Sequence, residues 1–248
     1  MLNIVDHRPW PLPRQPWVLR MTWYNLLFAH WACEPEELRK YIPCALELDT
    51  FDGLAYVGVI PFGMSGVAPR FCPDLPYFSR FLEINVRTYV RCRGNAGVYF
   101  FSLDAANPVA VSLCRTFFKL PYYNARMLMG SDGEWITCTS SRHHREAHSA
   151  EFAGLYRPVG EPFTAKAGSL DEWLTERYCL FTTDRKGAAY RCDIHHMPWR
   201  LQAAEAEILT NTMLQASGLT GLVDLSRTPR LLFARRLETV AWPLKQER

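Results

Sequence analysis

Hydrophobic and polar positions alternate with a period of two over much of the chain. The clearest run is Phe81-Leu-Glu-Ile-Asn-Val-Arg-Thr-Tyr-Val90. As a strand it places Ile84, Val86 and Val90 on one face and Glu83, Asn85, Arg87 and Tyr89 on the other. It continues to Cys92, where Arg93-Gly-Asn-Ala96 supplies a turn into Gly97 to Leu103, and the pair reads as a β-hairpin. Asp52-Gly53 predicts a second hairpin, between the runs 46–50 and 54–60, and Ser131-Asp-Gly133 a third. Tyr178 to Thr183, Ala188 to His195 and Leu231 to Leu237 are further β-like runs, and Trp242 and Pro243 close the pattern.

Three helices interrupt these strands. Asn107 is a capping residue and Pro108 fits the first helical position. Ala110, Leu113, Cys114 and Phe117 then fall on one face at helical spacing, which predicts a helix lying on a sheet through that stripe and ending near Leu120-Pro121. Ser169-Leu-Asp-Glu172 has the form of a capping box and opens a helix toward Arg177. Pro35 to Tyr41 predicts a shorter helix with acids in its first turn. Strands with a few helices make an α+β chain, mostly antiparallel. With no repeats and no long linker in 248 residues, the expectation is a single domain spanning 1–248, its core about 20–243.

Composition narrows the function classes. Hydrophobic residues at 48 % and charged residues at 21 % describe an ordinary globular chain. Twenty-eight basic against 25 acidic side chains give +3, too mild a balance to argue for nucleic acid. No apolar run approaches the roughly 18 residues of a membrane helix, and the N-terminus lacks the pattern of a secretory signal, so a cytoplasmic location is expected. Eight cysteines stand without a Cys-x-x-Cys pair and read as reduced thiols. Neither a metal nor a cofactor is expected: His144 and His148 have metal-ligand spacing, but arginines flank them and no third ligand is apparent. Glycine-rich phosphate loops are absent.

The polar face of the 81–90 run admits two readings. It is the solvated side of a sheet, or it is the lining of a cavity in which an acid and a guanidinium fix a carboxylate or enolate. Beyond the Asn107 helix, Lys119-Leu-Pro-Tyr-Tyr-Asn-Ala-Arg126 places Tyr122, Asn124 and Arg126 on one side of a strand. Lys119 is the only lysine between Lys40 and Lys166, and it reads as a solvated side chain at a helix end. His195 and His196 face opposite ways, so one of them looks inward. These positions give the candidate site: Glu83 and Tyr122 as catalytic groups, with Asn85, Arg87, Tyr89, Asn124, Arg126 and His196 as ligand-binding residues.

Several strings together resemble a known family. Leu26-Leu-Phe-Ala-His-Trp31, Leu48-Asp-Thr-Phe-Asp-Gly53, Glu83 to Val90, Phe101-Ser-Leu-Asp104, Leu120-Pro-Tyr122, Glu176-Arg-Tyr178 and His196-Met-Pro-Trp199 are similar to the DUF2071 (YqjF-like) family, in order and from about Trp23 to Trp242. That family is related to the acetoacetate decarboxylase-like superfamily. The resemblance implies a cone-like antiparallel β-barrel with helices outside and a central pocket, with Glu83 matching a pocket glutamate. It also implies a difference in chemistry. The decarboxylases carry a Schiff-base lysine in Gly-Arg-Glu-x-x-Gly-Phe-Pro-Lys-Lys, and here Cys114 to Tyr123, aligned on Pro121, puts Tyr122 at the lysine position and Tyr123 beside it. A phenol forms no iminium, so decarboxylation by that route is not expected.

Three functions compete at this level. The first is a small-molecule binding protein whose arginines hold an anionic ligand. The second is an acid/base enzyme of enolisation, lyase or hydratase type on a small oxo-acid, without a covalent intermediate. The third is a ligand-free interaction module. A homo-oligomer is compatible with each.

Overall fold

The computed structural model describes residues 1–247. In chain order the elements are β1 (Leu19–Cys33), α1 (Pro35–Arg39), β2 (Glu47–Leu48), β3 (Ala55–Pro69), β4 (Phe81–Cys92), β5 (Asn95–Ala105), α2 (Pro108–Phe117), β6 (Tyr122–Asp132), β7 (Trp135–Arg142), β8 (Glu151–Phe163), α3 (Leu170–Thr175), β9 (Cys179–Thr183), β10 (Ala189–His196), β11 (Leu201–Asn211), α4 (Met213–Ala216), β12 (Arg230–Ala241) and β13 (Lys245–Gln246). All strands join one sheet, and two extra pairings, β4 with β5 and β10 with β12, close it.

The closures make two rings rather than one regular barrel. One runs β1-β3-β4-β5-β6-β7-β8-β11-β12 and returns to β1. The other runs β1-β3-β4-β5-β9-β10-β12 and also returns to β1. Strands β12, β1, β3, β4 and β5 belong to both, so much of this wall is buried on two faces and reads as near-continuous apolar sequence. In β3 every residue from Ala55 to Met64 is buried. Gly63 is required there, because a Cβ would lie 2.1 Å from the Tyr24 ring.

Side chains fill the first ring. Leu27, Ile84 and Val86 from the shared wall meet Met127, Ile136, Phe152 and Tyr156 from the far strands, and Met213 and Leu214 of α4 join the same core. A second core, including Leu26, Phe28, Ile60, Phe62 and Leu103, lies on the opposite face of the wall, inside the second ring.

Two irregularities set which residues face which ring. Asn25 has φ of 52°, and the β1–β3 register shifts between Tyr24 and Ala29, so Met21 and Trp23 before it and Leu26 and Phe28 after it all pack toward the second ring. In β5 the register passes from Val86↔Ser102 to Arg87↔Phe100, and the extra residue, Phe101, lets Phe100 and Leu103 both reach that core.

The expected hairpins at 93–96 and 131–133 form as β4–β5 and β6–β7. The one at Asp52-Gly53 is reduced to a single bridge, Phe51↔Leu54. Both edges of β3 are taken by β1 and β4, so the short β2 pairs with β4 instead. Asn107 caps α2 as its sequence predicts, Oδ1 accepting from the amides of Val109 and Ala110 at 3.0 and 3.1 Å. The expected burial of the α2 stripe is met in part: Ala110 and Cys114 pack against the second core beside the buried Val111, while Leu113 and Phe117 are 50 % and 65 % exposed. Ser169 accepts from the Glu172 amide, whereas the Glu172 carboxylate accepts from Gly168 rather than from Ser169, and α3 stops at Thr175. His144 and His148 sit in a loop, where helical spacing has no meaning, and His144 Nδ1 accepts from the Asn124 amide. All eight cysteines are free thiols. No helix among the described residues is long and apolar enough to cross a membrane.

Candidate functional site

A cavity of about 1030 Å³ opens within the second ring, and all seven strands of that ring contribute to its wall. Three charged side chains line it, Glu83, Arg87 and Arg177, together with Asn85, Tyr122, Thr175 and His196. Most of the remaining lining is apolar, with Phe62, Met64, Phe81 and Trp199 among it.

Strand β4 delivers the first polar row. It is paired on both sides, Glu83 opposite Phe62 on β3 and opposite Ala105 on β5, so its backbone is satisfied and its side-chain alternation is kept. Ile84 and Val86 enter the filled ring, while Glu83, Asn85 and Arg87 face the cavity. Glu83 and Asn85 are nearly fully buried. Tyr122 comes from a different part of the chain. Phe118 caps the C-terminus of α2, Lys119 turns the chain with φ of 52°, and Tyr122 opens β6 beside Leu103 of β5. Its carbonyl accepts from Arg115 Nη1 at 2.6 Å, and its phenol donates to Glu83 Oε2 at 2.7 Å. The two candidate catalytic residues, 39 positions apart, therefore meet.

Burial raises the Glu83 carboxyl to about 7, with Asp104 adding to the rise and hydrogen bonds from Tyr122 and Asn85 opposing it. Near neutral pH this group is divided between acid and carboxylate. Tyr122 is pushed well above the ordinary phenol value by burial and then by Glu83 and Cys114, so it stays a donor.

Arg87 Nη2 donates to the Tyr89 hydroxyl and to the Leu174 carbonyl, both at 3.1 Å, and its guanidinium lies 5.3 Å from the Phe28 ring centroid. Tyr89 is fully buried but does not line the cavity; it acts behind Arg87. Its hydroxyl lies 2.8 Å from Leu174 O and 2.6 Å from His30 Nε2, within hydrogen-bond distance of both. Burial and the nearby Arg87 charge hold the His30 imidazole neutral, well below its usual range.

His196 faces the cavity and His195 lies against the N-terminal segment, near Arg8 and the Met1 carbonyl. His196 stacks on Tyr178 at 4.6 Å, and its ring nitrogens face the carbonyls of Met197 and Arg177 at 2.8 and 3.3 Å. Burial lowers it to about 4, and the neutral ring orients rather than titrates.

Asn124 and Arg126 do not line the cavity. The predicted alternation holds, with Ala125 and Met127 entering the filled ring, but β6 belongs to the first ring alone. Beyond Tyr122 the opposite face of β6 lies outside the second ring, and Arg126 is exposed. Lys119 is also exposed, its ammonium 5.0 Å from the Tyr190 ring centroid.

Arg177 is a site residue that sequence patterning missed. It is 5 % exposed, held by Asp49 Oδ2 at 2.7 Å and the Trp173 carbonyl at 2.7 Å, between the rings of Tyr89 and Trp173. Asp49 is 128 residues away, so no local pattern marks the pair. The string Glu176-Arg-Tyr178, part of the family resemblance, is the signal that pointed there.

Four residues of the cavity wall keep a buried polar atom without a hydrogen-bond partner: Trp23 Nε1, Asn85 Oδ1, Arg87 Nε and Arg177 Nη2. Three of these atoms are donors. Arg177 pairs with Asp49, which it shares with Arg91, whereas no carboxylate among the described residues lies within ion-pair distance of Arg87.

The family model described as DUF2071, "Uncharacterized conserved protein", matches residues 20–238. The uncharacterized protein YqjF of Bacillus subtilis (strain 168) is 44 % identical over 235 residues, covering 95 % of each chain. Among solved structures, acetoacetate decarboxylase from Legionella pneumophila superposes with a TM-score of 0.63 at 12 % identity, over 98 % of this chain and 94 % of that one. The enduracididine biosynthesis enzyme MppR, complexed with the condensation product of pyruvate and imidazole 4-carboxaldehyde, superposes with a TM-score of 0.62 at 11 % identity, over 94 % and 90 % of the two chains. At such identities the likeness is one of fold.

Proposed function

The chain belongs to the DUF2071 family, and we propose that it binds a small organic acid or carbonyl compound in the chamber of the second ring. The observation that carries this reading is the Arg87 guanidinium, which lines the cavity with no carboxylate within ion-pair distance among the described residues. Asn85, Tyr122 and Arg177 line the same chamber and add hydrogen-bonding groups that suit a carboxylate or a carbonyl. The uncompensated Arg87 favours a negative charge. The pyruvate-derived product named for MppR is of the same class.

No Schiff base is part of this proposal. No lysine is among the cavity-lining residues, and Lys119 is exposed against the Tyr190 ring. The ligand is held by hydrogen bonds and charge alone.

A second reading is favoured by one observation, the Glu83 carboxyl at about 7 with the Tyr122 phenol 2.7 Å away. A group poised near neutrality can take and return a proton, so Glu83 would act as general acid/base on an enolisable oxo-acid. Tyr122 and Arg87 would then stabilise the enolate. Retained binding with lost turnover in Glu83→Gln separates this enzyme from a pure binding protein.

The test of the first reading is a thermal-shift panel of short carboxylates, oxo-acids and neutral ketones. A ligand at 100 times its dissociation constant adds about 2.7 kcal/mol, or roughly 5–10 °C for a chain of this size. The shift should appear with acids and vanish in Arg87→Met with the unliganded melting point preserved. A flat panel contradicts the proposal.

A further inference from the structure

The cavity is larger than its polar floor requires. Its charged residues, Glu83, Arg87 and Arg177, are far fewer than its apolar ones, and no charged side chain lines the wall elsewhere. A volume of about 1030 Å³ lies at the upper end of ordinary ligand pockets, where a two- to four-carbon acid would leave most of the apolar wall uncovered.

The apolar lining also reaches solvent. Leu75 and Phe78 from the 70–80 loop, and Val109, Leu113 and Phe117 from α2, all belong to the cavity wall and are between 45 % and 65 % exposed. The same loop carries Phe71 and Tyr77, each more than 90 % exposed. Half-exposed apolar side chains that continue an interior wall mark an entry route for apolar matter rather than scattered surface residues. The exposed part of the α2 stripe, Leu113 and Phe117, follows the same logic.

Resting on the acid-binding reading above, we infer that the ligand is an amphiphile: a carboxylate or oxo-acid head against Arg87, Glu83 and Tyr122, carrying an acyl-like apolar chain that runs along the chamber toward the rim formed by α2 and the 70–80 loop. Hydrogen-bonding donors at the floor fix the head and its direction. Apolar burial along the wall supplies most of the affinity and selects for chain length.

The experiment is isothermal titration of the whole protein with butyrate, octanoate and dodecanoate below their micellar concentrations, repeated with Leu113→Asp and Arg87→Met. Each fully buried methylene is worth about a fourfold gain in affinity, or roughly 250-fold for four carbons, so even partial burial should tighten binding by at least about tenfold for every four carbons, at one ligand per chain. Leu113 is exposed on a helix, so its replacement should leave the fold and butyrate binding within twofold of wild type while weakening dodecanoate by at least about fivefold. Arg87→Met should weaken all three. Equal affinities for butyrate and octanoate, or exclusion of the longer acids, overturn the amphiphile and leave the small-acid reading standing. Absence of binding by every member overturns both. Dodecanoate binding at several copies per chain and indifferent to Leu113→Asp is surface adsorption and also overturns the inference.

Discussion

The two faces of the shared wall carry two buried polar clusters built from neighbouring residues, and they differ in one respect. In the filled ring, Asp104 accepts from Arg142 Nε and Nη2 at 2.8 and 2.6 Å, and the guanidinium lies 4.1 Å from the Tyr123 ring centroid. That cluster is charge-balanced and packed among side chains. In the hollow ring, Glu83 and Arg87 come from β4 and Tyr122 from β6, next to Tyr123 in the chain, and Arg87 has no counter-ion among the described residues. Period-two alternation sends Tyr122 to one cluster and Tyr123 to the other, and on β4 it turns Glu83 to the cavity while Ile84 lies opposite Asp104. A closed cluster holds the fold, and an open one beside a cavity is fitted to hold something else.

The largest effect should follow from opening the closed cluster. Asp104→Ala leaves the Arg142 guanidinium buried without its partner and should cost about 3–5 kcal/mol in urea unfolding. A cost under 1 kcal/mol would erase the contrast between the rings.

The next effect is a pH dependence that belongs to the open cluster. With Glu83 raised from 4.5 to about 7, the folded chain keeps a proton that the unfolded chain releases, so this group makes stability fall as pH rises between those values. Glu83→Gln removes that fall: it should match wild type near pH 4 and exceed it by about 3 kcal/mol at pH 8. His196, lowered to about 4, contributes in the opposite direction, with stability lost as pH drops from 6.5 toward 4. Its contribution is common to both proteins and cancels in the difference. A difference that does not change with pH would mean that Glu83 takes up its proton at the same pH in the folded and unfolded chains.

A smaller difference compares one residue type across the wall. Ile84 is packed in the filled ring and Ile60 lines the chamber. Alanine at either loses apolar burial, but only at Ile84 does it open a new void, so Ile84→Ala should be the costlier by about 1–2 kcal/mol within the usual 2–5 range. The smallest effect is at Lys119, whose φ of 52° follows the α2 C-cap. Lys119→Gly should stabilise by up to about 1 kcal/mol and leave ligand binding unchanged. Loss of binding would show that Lys119 takes part in the site.

Much of this site is legible locally. The β4 alternation separates Glu83, Asn85 and Arg87 from Ile84 and Val86, and Asn107 and Pro121 bracket the helix that leads to Tyr122. What escapes local reading is whatever long-range pairing decides. The second ring closes through Val98↔Leu180 on β5–β9 and Ile194↔Ala241 on β10–β12, and no period announces either contact. Those closures determine that the polar face of β4 borders a chamber, and that the same face of β6 leaves it after Tyr122, which strands Asn124 and Arg126 outside. Arg177 depends on Asp49, Trp173 and Tyr89, three separate segments. The turn of β1 at Asn25 hides in the same way, since a non-glycine residue at positive φ leaves no pattern in the alternation around it.

Methionines report on both rings in one experiment. Met21 and Met64 line the chamber, while Met127 and Met213 lie in the filled core. With methyl-labelled methionine, titration with butyrate and then octanoate should move the Met21 and Met64 methyl resonances in a saturable way and leave those of Met127 and Met213 in place. Resonances that stay fixed throughout, or shifts shared equally by both pairs, would contradict a ligand chamber confined to the second ring.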